Sequence, residues 1–242
     1  MRTIATALSA CAAALILTAC GKPADDAFGR RVHAYLMEHP EVIEEAVKKL
    51  QAERQTASLT ASRTALASLR PQLERDPRDF VANPDGKVTV VEFFDYRCGY
   101  CKVAAPDVLK IIADNPDVRF VFKEMPIFGE VSDTAARIAL TDAGKSAGLK
   151  LHGALMADKA LDEAAVDRHL VAAGIDPAAA RRAADAPAIV RQIADVRTLA
   201  NALQISGTPA FIVGDRLIAG ADMDALNAAI AEAKEAPLQQ PG

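Results

Sequence analysis

The sequence has no tryptophan, few aromatic residues, and only four cysteines and four histidines among 242 residues. The histidines are scattered, and only one pair of cysteines, Cys98 and Cys101, is closely spaced. A structural zinc site needs roughly four ligands, which this pair alone does not supply. The formal net charge is −4, so there is no basic excess of the kind that binds nucleic acid. No internal repeat or low-complexity run is present. We therefore predict no metal, no cofactor and no nucleic-acid partner.

The first 19 residues have the pattern of a processing segment. Arg2 supplies a positive charge, and an apolar run too short to span a bilayer comfortably follows it. The sequence from Leu17 to Gly21 resembles the lipobox of bacterial lipoproteins, which implies that Cys20 is lipidated and begins the mature chain. Gly21 then favours the outer membrane. The alternative is an ordinary signal peptide in which Cys20 is incidental.

One stretch, residues 88–102, contains the two remaining cysteines. The β-branched and aromatic run Val88–Phe94 predicts a strand buried on both faces. Cys98-Gly99-Tyr100-Cys101 follows, and a helical pattern begins after it. At a helix N-terminus the free N–H groups and the helix dipole stabilise a thiolate. We therefore predict that Cys98 is an exposed nucleophile of low pKa and that Cys101 is the shielded, resolving thiol.

Three interpretations of this cysteine pair are open from the residues alone: half of a zinc site, an inert disulfide, or a redox pair. A Cys-x-x-Cys beside a strand–helix pattern favours the redox interpretation. Cys11 lies in the processing segment and Cys20 is predicted to be acylated, so Cys98 and Cys101 are the only free thiols expected. One close pair in an exported chain is typical of an enzyme rather than of a disulfide-stabilised scaffold.

The segment from Glu92 to Lys102 resembles the active site of DsbA-like proteins of the thioredoxin superfamily, of the Com1 and ScsC type. Gly207-Thr208-Pro209 resembles the cis-proline loop of that family. The resemblance implies a cis Pro209 beside the cysteines and a Thr208 backbone that pairs with substrate. It also implies that Gly99 and Tyr100 contact substrate and that Glu92 is a buried acid accepting the Cys101 proton. The alternative for Glu92 is a strand-end carboxylate that reaches solvent.

The fold class that this implies is α/β: a thioredoxin fold with an inserted helical domain, preceded by an N-terminal helical stalk. We place a lipidated tether over residues 20–27 and the helical region over 28–75. The DsbA-like domain covers 76–236, with its helical insertion over about 132–203. A disordered tail is expected over 237–242. The two histidines of the insertion, His152 and His169, are expected to be surface residues.

The N-terminal helices carry an apolar stripe that must be buried against something. Its residues are Val42, Ile43, Ala46, Val47 and Leu50. Three interpretations are open. The stripe packs onto the DsbA-like domain, or the helices are a lipid-anchored spacer, or the stripe drives self-association through residues 28–69, which the resemblance to ScsC-type proteins implies.

The predicted function is formation or isomerisation of disulfides in exported proteins, on the periplasmic side of a bacterial membrane. The expected partners are exported proteins with cysteines and a membrane redox protein of DsbB or DsbD/ScsB type. Known reduction potentials in this superfamily span roughly 150 mV, so the sequence leaves oxidase, reductase and isomerase open. The alternative function is a copper-handling or substrate-binding module that uses the same thiols.

Overall fold

A computed structural model describes residues 24–235, and the predicted signal peptide, Cys20 and the C-terminal tail lie outside that range. The chain divides into two compact units, one ending at Ser58 and one beginning at Leu59. The helices are α1 (Ala24–Glu38), α2 (Glu41–Glu74), α3 (Gly99–Asp114), α4 (Glu130–Ala139), α5 (Asp142–Ala157), α6 (Glu163–Ala172), α7 (Pro177–Ala184), α8 (Pro187–Ala202) and α9 (Met223–Glu235). The strands are β1 (Phe80–Ala82), β2 (Val88–Phe94), β3 (Val118–Glu124), β4 (Ala210–Val213) and β5 (Arg216–Ala219).

The first unit contains α1 and the N-terminal part of α2, separated at His39-Pro40. Because Pro40 cannot continue the preceding helix and disfavours helical backbone at His39, α1 ends at Glu38. Large apolar side chains of this unit are exposed: Phe28, Val32, Tyr35, Met37, Ile43, Val47 and Leu50. Among the described residues of this unit, none therefore covers Ile43, Val47 and Leu50 of the stripe.

The second unit is built on a five-stranded sheet with the order β1-β3-β2-β4-β5. The central strands β2 and β3 are parallel, and the other neighbours pair antiparallel. Six of the seven β2 residues are buried, as the predicted two-sided burial requires. Because strand side chains alternate, Val90, Glu92 and Phe94 lie on one face while Val91 and Phe93 lie on the other.

Helices cover both faces of this sheet. The Glu92 face packs against α3, α5 and α9 in the larger apolar cluster, and the opposite face packs against α8 and the C-terminal end of α2. Leu66 and Leu73 of α2 are buried there, so the last turns of α2 belong to the compact unit that starts at Leu59. The helical region predicted over 28–75 thus contributes its C-terminal turns to the catalytic core.

The helical insertion, α4 to α8, enters between β3 and β4. This arrangement is the expected thioredoxin fold with an inserted helical domain and preceding N-terminal helices. No helix in the described part of the chain is both long enough and apolar enough to cross a membrane.

Candidate functional site

The two cysteines lie where β2 gives way to α3. The strand ends at Phe94, a connection of four residues (95–98) follows, and α3 begins at Gly99. Cys98 is the N-cap residue with extended backbone angles, and its carbonyl accepts the Lys102 N–H at 3.1 Å. Cys101 is in the first turn, on the helix face that packs against the sheet. Cys98 and Cys101 therefore lie at the N-terminus of α3, the positive end of its dipole, as predicted.

Cys98 is buried, with 2% of its surface exposed, which corrects the prediction of an exposed nucleophile. Its Sγ donates a hydrogen bond to the Thr208 carbonyl oxygen at 3.1 Å. Thr208 precedes Pro209 through a cis peptide bond, as the resemblance implied. The cis-proline loop, 110 residues away in sequence, therefore packs against this sulfur. Gly99 and Tyr100 are exposed beside it, with 71% of the Tyr100 surface accessible.

Cys101 is fully buried, and both cysteines are free thiols in the structure. Burial raises the pKa of Cys101, and negative charge at Cys98 and Glu92 raises it further. The Asp95 backbone and the Thr208 hydroxyl act in the opposite direction and lower this pKa. Cys101 is thus the shielded thiol of the pair, and it requires a proton acceptor before it can act as a nucleophile.

Glu92 is buried beneath α3, with 1% of its surface exposed. It lies between Phe122 of β3 and Phe211 of β4 in the sheet register. Its Oε2 atom has no hydrogen-bond partner among the described residues, and burial raises its pKa to about 8. The alternative of a strand-end carboxylate reaching solvent is therefore excluded. A carboxyl group with this pKa is partly ionised near neutral pH, so it can both accept and return a proton.

Asp95 is a residue of the site that the sequence analysis missed. Its carboxylate is buried and accepts four hydrogen bonds from the backbone N–H groups of Arg97, Ile127 and Phe128 and the hydroxyl of Ser132. Its own carbonyl accepts the Cys98 N–H at 3.1 Å. A carboxylate directly after an apolar strand was the signal in the sequence, but three of its four partners come from residues more than 30 positions away.

A second missed group is the buried trio of Tyr96, Glu124 and His152. The Tyr96 hydroxyl lies 3.2 Å from Glu124 Oε1 and 3.4 Å from His152 Nδ1. Burial raises the pKa of Glu124 well above its usual range and lowers the pKa of His152 to about 3. His152 packs against Phe94 and Phe122, which corrects the expectation of a surface histidine. His169 is partly exposed and lies 2.9 Å from Asp158.

The structure thus brings Cys98, Cys101, Glu92, Thr208 and Pro209 together at one end of the sheet. The described residues contain no group of three or more His, Cys, Asp or Glu side chains arranged to hold a metal ion. A Cys-x-x-Cys pair at a helix N-terminus, with a cis-proline loop on one sulfur and a buried carboxyl group on the sheet face that α3 covers, is the site of a thiol-disulfide oxidoreductase domain of the thioredoxin class.

The chain belongs to the thioredoxin family, whose family model matches residues 76–232. A second model, described as the N-terminal domain of the copper resistance protein ScsC, matches residues 26–57. The catalytic domain and the N-terminal helices are thus both of the DsbA-like, ScsC type that the motifs indicated.

Solved structures agree with this assignment. A thioredoxin-like oxidoreductase from Silicibacter pomeroyi is 39% identical, with a TM-score of 0.66 over 69% of this chain and 99% of its own. Proteus mirabilis ScsC in a transitional conformation is 30% identical, with a TM-score of 0.65 over 88% and 98%. The thiol-disulfide exchange protein α-DsbA2 from Wolbachia pipientis is 28% identical, with a TM-score of 0.66 over 73% and 97%. The thioredoxin domain of this chain is of the thiol-disulfide oxidoreductase type.

Two curated relatives are much longer than this chain. They are named as Na(+)/H(+) antiporters NhaA from Salinispora tropica and Salinispora arenicola, 32% and 29% identical over 191 residues. The alignment covers 76% of this chain and 29% of each relative. The chain thus spans less than a third of the length of the curated proteins it matches.

Proposed function

We propose that this protein forms or isomerises disulfide bonds in exported proteins through its Cys98–Cys101 pair. The observation that carries the proposal is the contact of the cis-proline loop with Cys98, because it joins the nucleophile to a backbone segment able to hold an extended polypeptide. Thr208 supplies that backbone, which can pair with a substrate strand by β-augmentation. Gly99 and Tyr100, exposed beside the sulfur, form the other part of the substrate contact.

Oxidation of a substrate proceeds in two exchanges. A substrate thiolate attacks Cys98 Sγ of the Cys98–Cys101 disulfide, and Cys101 leaves as a thiolate that takes a proton from Glu92. A second substrate thiolate then attacks the substrate sulfur of the mixed disulfide, and Cys98 leaves as a thiolate. Two electrons pass from the substrate to the cysteine pair. Isomerisation begins from the dithiol, with Cys98 attacking a substrate disulfide.

The test is to trap the mixed disulfide. Cys101→Ala should accumulate covalent complexes with exported proteins that a reductant dissolves, because the resolving thiol is gone. Cys98→Ala should accumulate none, and it is the matched control because it removes the other member of the same pair. Equal trapping by the two variants would show that the assigned roles are wrong.

We propose further that the protein acts on the periplasmic side of a bacterial membrane, anchored at the outer membrane through lipidated Cys20. The support is the lipobox-like sequence from Leu17 to Gly21. A single acyl chain binds membranes only marginally, so the anchor needs more than one. Cys20→Ser should release the protein into the soluble fraction. An unmodified mature N-terminus at or beyond residue 20 in a mass spectrum would contradict the proposal. A membrane protein of DsbB or DsbD/ScsB type would restore the redox state of the pair.

The N-terminal helices are proposed to bind second copies of this chain through residues 28–69. Support comes from the ScsC-type match over residues 26–57 and from the exposed apolar residues of this unit. Burying a Val, Ile or Leu side chain stabilises an assembly by roughly 1.5–3 kcal/mol, and each copy offers several. Sedimentation of the chain from Gly21 should show an oligomer that Val47→Glu with Leu50→Glu dissociates. A monomer for the unsubstituted chain would leave these helices as a spacer.

A copper-handling role is the second candidate, favoured by the match to the N-terminal domain of a protein described as a copper resistance protein and by the two soft thiols of the Cys-x-x-Cys motif. A Cu(I) titration against a competing chelator separates the two functions. Copper handling would be favoured over disulfide formation or isomerisation by two results together. The reduced protein would bind Cu(I) tightly, with that binding lost in Cys98→Ala, and it would not oxidise a dithiol substrate.

A further inference from the structure

The cysteine motif is flanked by two side chains that both contact α5 of the helical insertion. Tyr96 lies two residues before Cys98, and Lys102 follows Cys101 directly. The Tyr96 hydroxyl lies 3.4 Å from His152 Nδ1 of α5. The Lys102 ammonium donates to backbone carbonyls at the C-terminal end of the same helix. One helix of the insertion therefore contacts the chain on both sides of the reactive pair.

The Lys102 contacts are a C-terminal helix cap that another helix supplies. Lys102 Nζ donates to the carbonyl oxygens of three residues, at 3.2 Å to Leu155, 3.5 Å to Met156 and 2.6 Å to Asp158. The last carbonyls of a helix have no partner within the helix, and they carry the negative end of its dipole. A lysine ammonium has three N–H donors, so these three acceptors can take all of them. The positive charge that directly follows Cys101 is thus bound to α5.

The end of α5 that receives Lys102 is itself held in place. Asp158 is the C-cap residue of α5, and its carboxylate accepts the Ala160 N–H at 2.9 Å. The same carboxylate lies 2.9 Å from His169 Nε2 of α6. Further back along α5, a Cβ atom at Gly153 would lie only 3.3 Å from Leu109 Cδ1, so α5 and α3 are in close contact there. The insertion therefore gives the active-site helix a fixed support.

We infer that Lys102 is a positioning residue: by capping α5 it fixes the first turn of α3, so that Cys101 stays aligned for attack on Cys98 Sγ. Tyr96 supports the motif on its other side through its contact with α5. Lys102 acts through the backbone of α3 and not by contact with substrate. The inference deepens the proposed function and rests on it, because the step concerned is the exchange between Cys98 and Cys101.

A lysine beside two thiols can act in another way, through its charge. A free ammonium group stabilises a nearby thiolate, and its loss would move the pH profile of the Cys98 reaction toward higher pH while leaving the plateau rate unchanged. If Lys102 acts by positioning, loss of the cap leaves the Cys98 profile in place. It then slows, at every pH, the step that needs both cysteines aligned. The two roles therefore change different measured quantities.

The experiment uses the reduced full chain and a chromogenic aryl disulfide. The Cys98 thiolate attacks one sulfur of the reagent and releases one aryl thiolate, which leaves a mixed disulfide on Cys98. Cys101 then loses its proton and attacks Cys98 Sγ, so that the second aryl thiolate leaves and the Cys98–Cys101 disulfide forms. Two electrons pass from the cysteine pair to the reagent. The rate of the second release measures the alignment of the pair, and the rate of the first is the internal reference.

Lys102→Met keeps the length of the side chain and removes its ammonium group. It should slow the second release about tenfold between pH 6 and pH 9, and change the first release less than about twofold. Tenfold corresponds to about 1.4 kcal/mol, close to the contribution of one hydrogen bond to a charged group. Tyr96→Phe removes only a hydroxyl and should slow the second release about threefold, the effect of a neutral hydrogen bond. It carries the test if Lys102→Met does not fold.

Lys150→Met is the matched control. Lys150 Nζ of α5 donates to the Ala172 carbonyl at the C-terminal end of α6 at 3.4 Å, so this variant removes the same kind of cap from a different helix. It should leave both releases unchanged. An unchanged second release in Lys102→Met would overturn the inference, as would equal slowing by Lys150→Met. A first-release profile moved to higher pH, with the plateau rate of the second release kept, would assign Lys102 the electrostatic role instead. If the unsubstituted protein released no second aryl thiolate, the proposed function itself would fail, which is a different result.

Discussion

Glu92→Gln is the most informative substitution for the chemistry of this site. Glu92 is buried between two phenylalanine residues of neighbouring strands, and burial alone raises its pKa from 4.5 to about 8. Glutamine keeps the size of the side chain and cannot ionise. The variant therefore removes the charge and the proton-accepting group together while leaving the packing of the sheet in place.

The first expected consequence is on stability. In the unfolded chain Glu92 ionises near its ordinary pKa, whereas in the folded protein it keeps its proton up to about pH 8. The unfolded state therefore binds fewer protons between these values, and stability falls as pH rises through that window. At about 1.4 kcal/mol per pKa unit, the upper limit of this loss is about 5 kcal/mol. Glu92→Gln should not show it, so its stability relative to the unsubstituted protein should rise from pH 4.5 to pH 8 and then level.

The second consequence is kinetic. At pH 7 a carboxyl group of pKa about 8 is ionised in roughly a tenth of the molecules, and this fraction rises with pH. With the reduced protein and a chromogenic aryl disulfide, the Cys98 thiolate releases one aryl thiolate, and Cys101 releases the second when it attacks Cys98 Sγ. If Glu92 accepts the Cys101 proton, this second release should accelerate up to about pH 8 and then level. Glu92→Gln should lose this inflection and be slower by about 10²-fold, the lower end of what a general base contributes.

Denaturant unfolding at pH 5 and pH 8 and the stopped-flow pH profile of the second release measure the two effects separately. Glu232→Gln, which neutralises an exposed glutamate of α9, is the matched control and should change neither. A Glu92→Gln profile that kept the inflection near pH 8 would refute the proton-acceptor role. A pH dependence of stability identical to that of the unsubstituted protein would refute the buried-charge reasoning beneath it.

Other predictions follow from single contacts. His152 has a pKa of about 3 in the folded protein, below its unfolded value of 6.5, so the folded protein should lose stability as pH falls below 6.5. His152→Phe should remove this loss, which thermal melts at pH 5 and pH 7 measure. Lys123→Met leaves Asp79 buried without its ion-pair partner and should lower the free energy of unfolding, measured in urea, by about 3–5 kcal/mol. Adding Asp79→Asn in a double variant should restore part of that stability. Gly86→Ala would place a Cβ 2.3 Å from the β3 backbone and should destabilise the protein by several kcal/mol. Gly99→Ala meets no atom within 4 Å and should keep the melting temperature, which makes it the control for Gly86→Ala.

Much of this fold was predictable because its signals are local. The β-branched and aromatic run from Val88 to Phe94, which Glu92 interrupts, is a strand with the same bounds in the structure. Pro40 divides the N-terminal helices, and Gly214-Asp215 is a two-residue turn sequence typical of the hairpin that β4 and β5 form. Cys98 and Cys101 were assigned from their spacing and from the helix that follows them. Backbone preference and side-chain periodicity act over a few residues, so one sequence is enough to read them.

What only the tertiary structure decided depends on contacts between distant parts of the chain. Cys98 is buried because the Thr208 carbonyl packs on it, and no local pattern near Cys98 records that contact. His152 is polar in a helical pattern, but its place among aromatic rings of β2 and β3 leaves it buried and neutral. Asp95 is stabilised by donors from the loop after β3 and from α4. Burial and hydrogen-bond partners are properties of the packed sheet and helices, so they arise only once these segments meet.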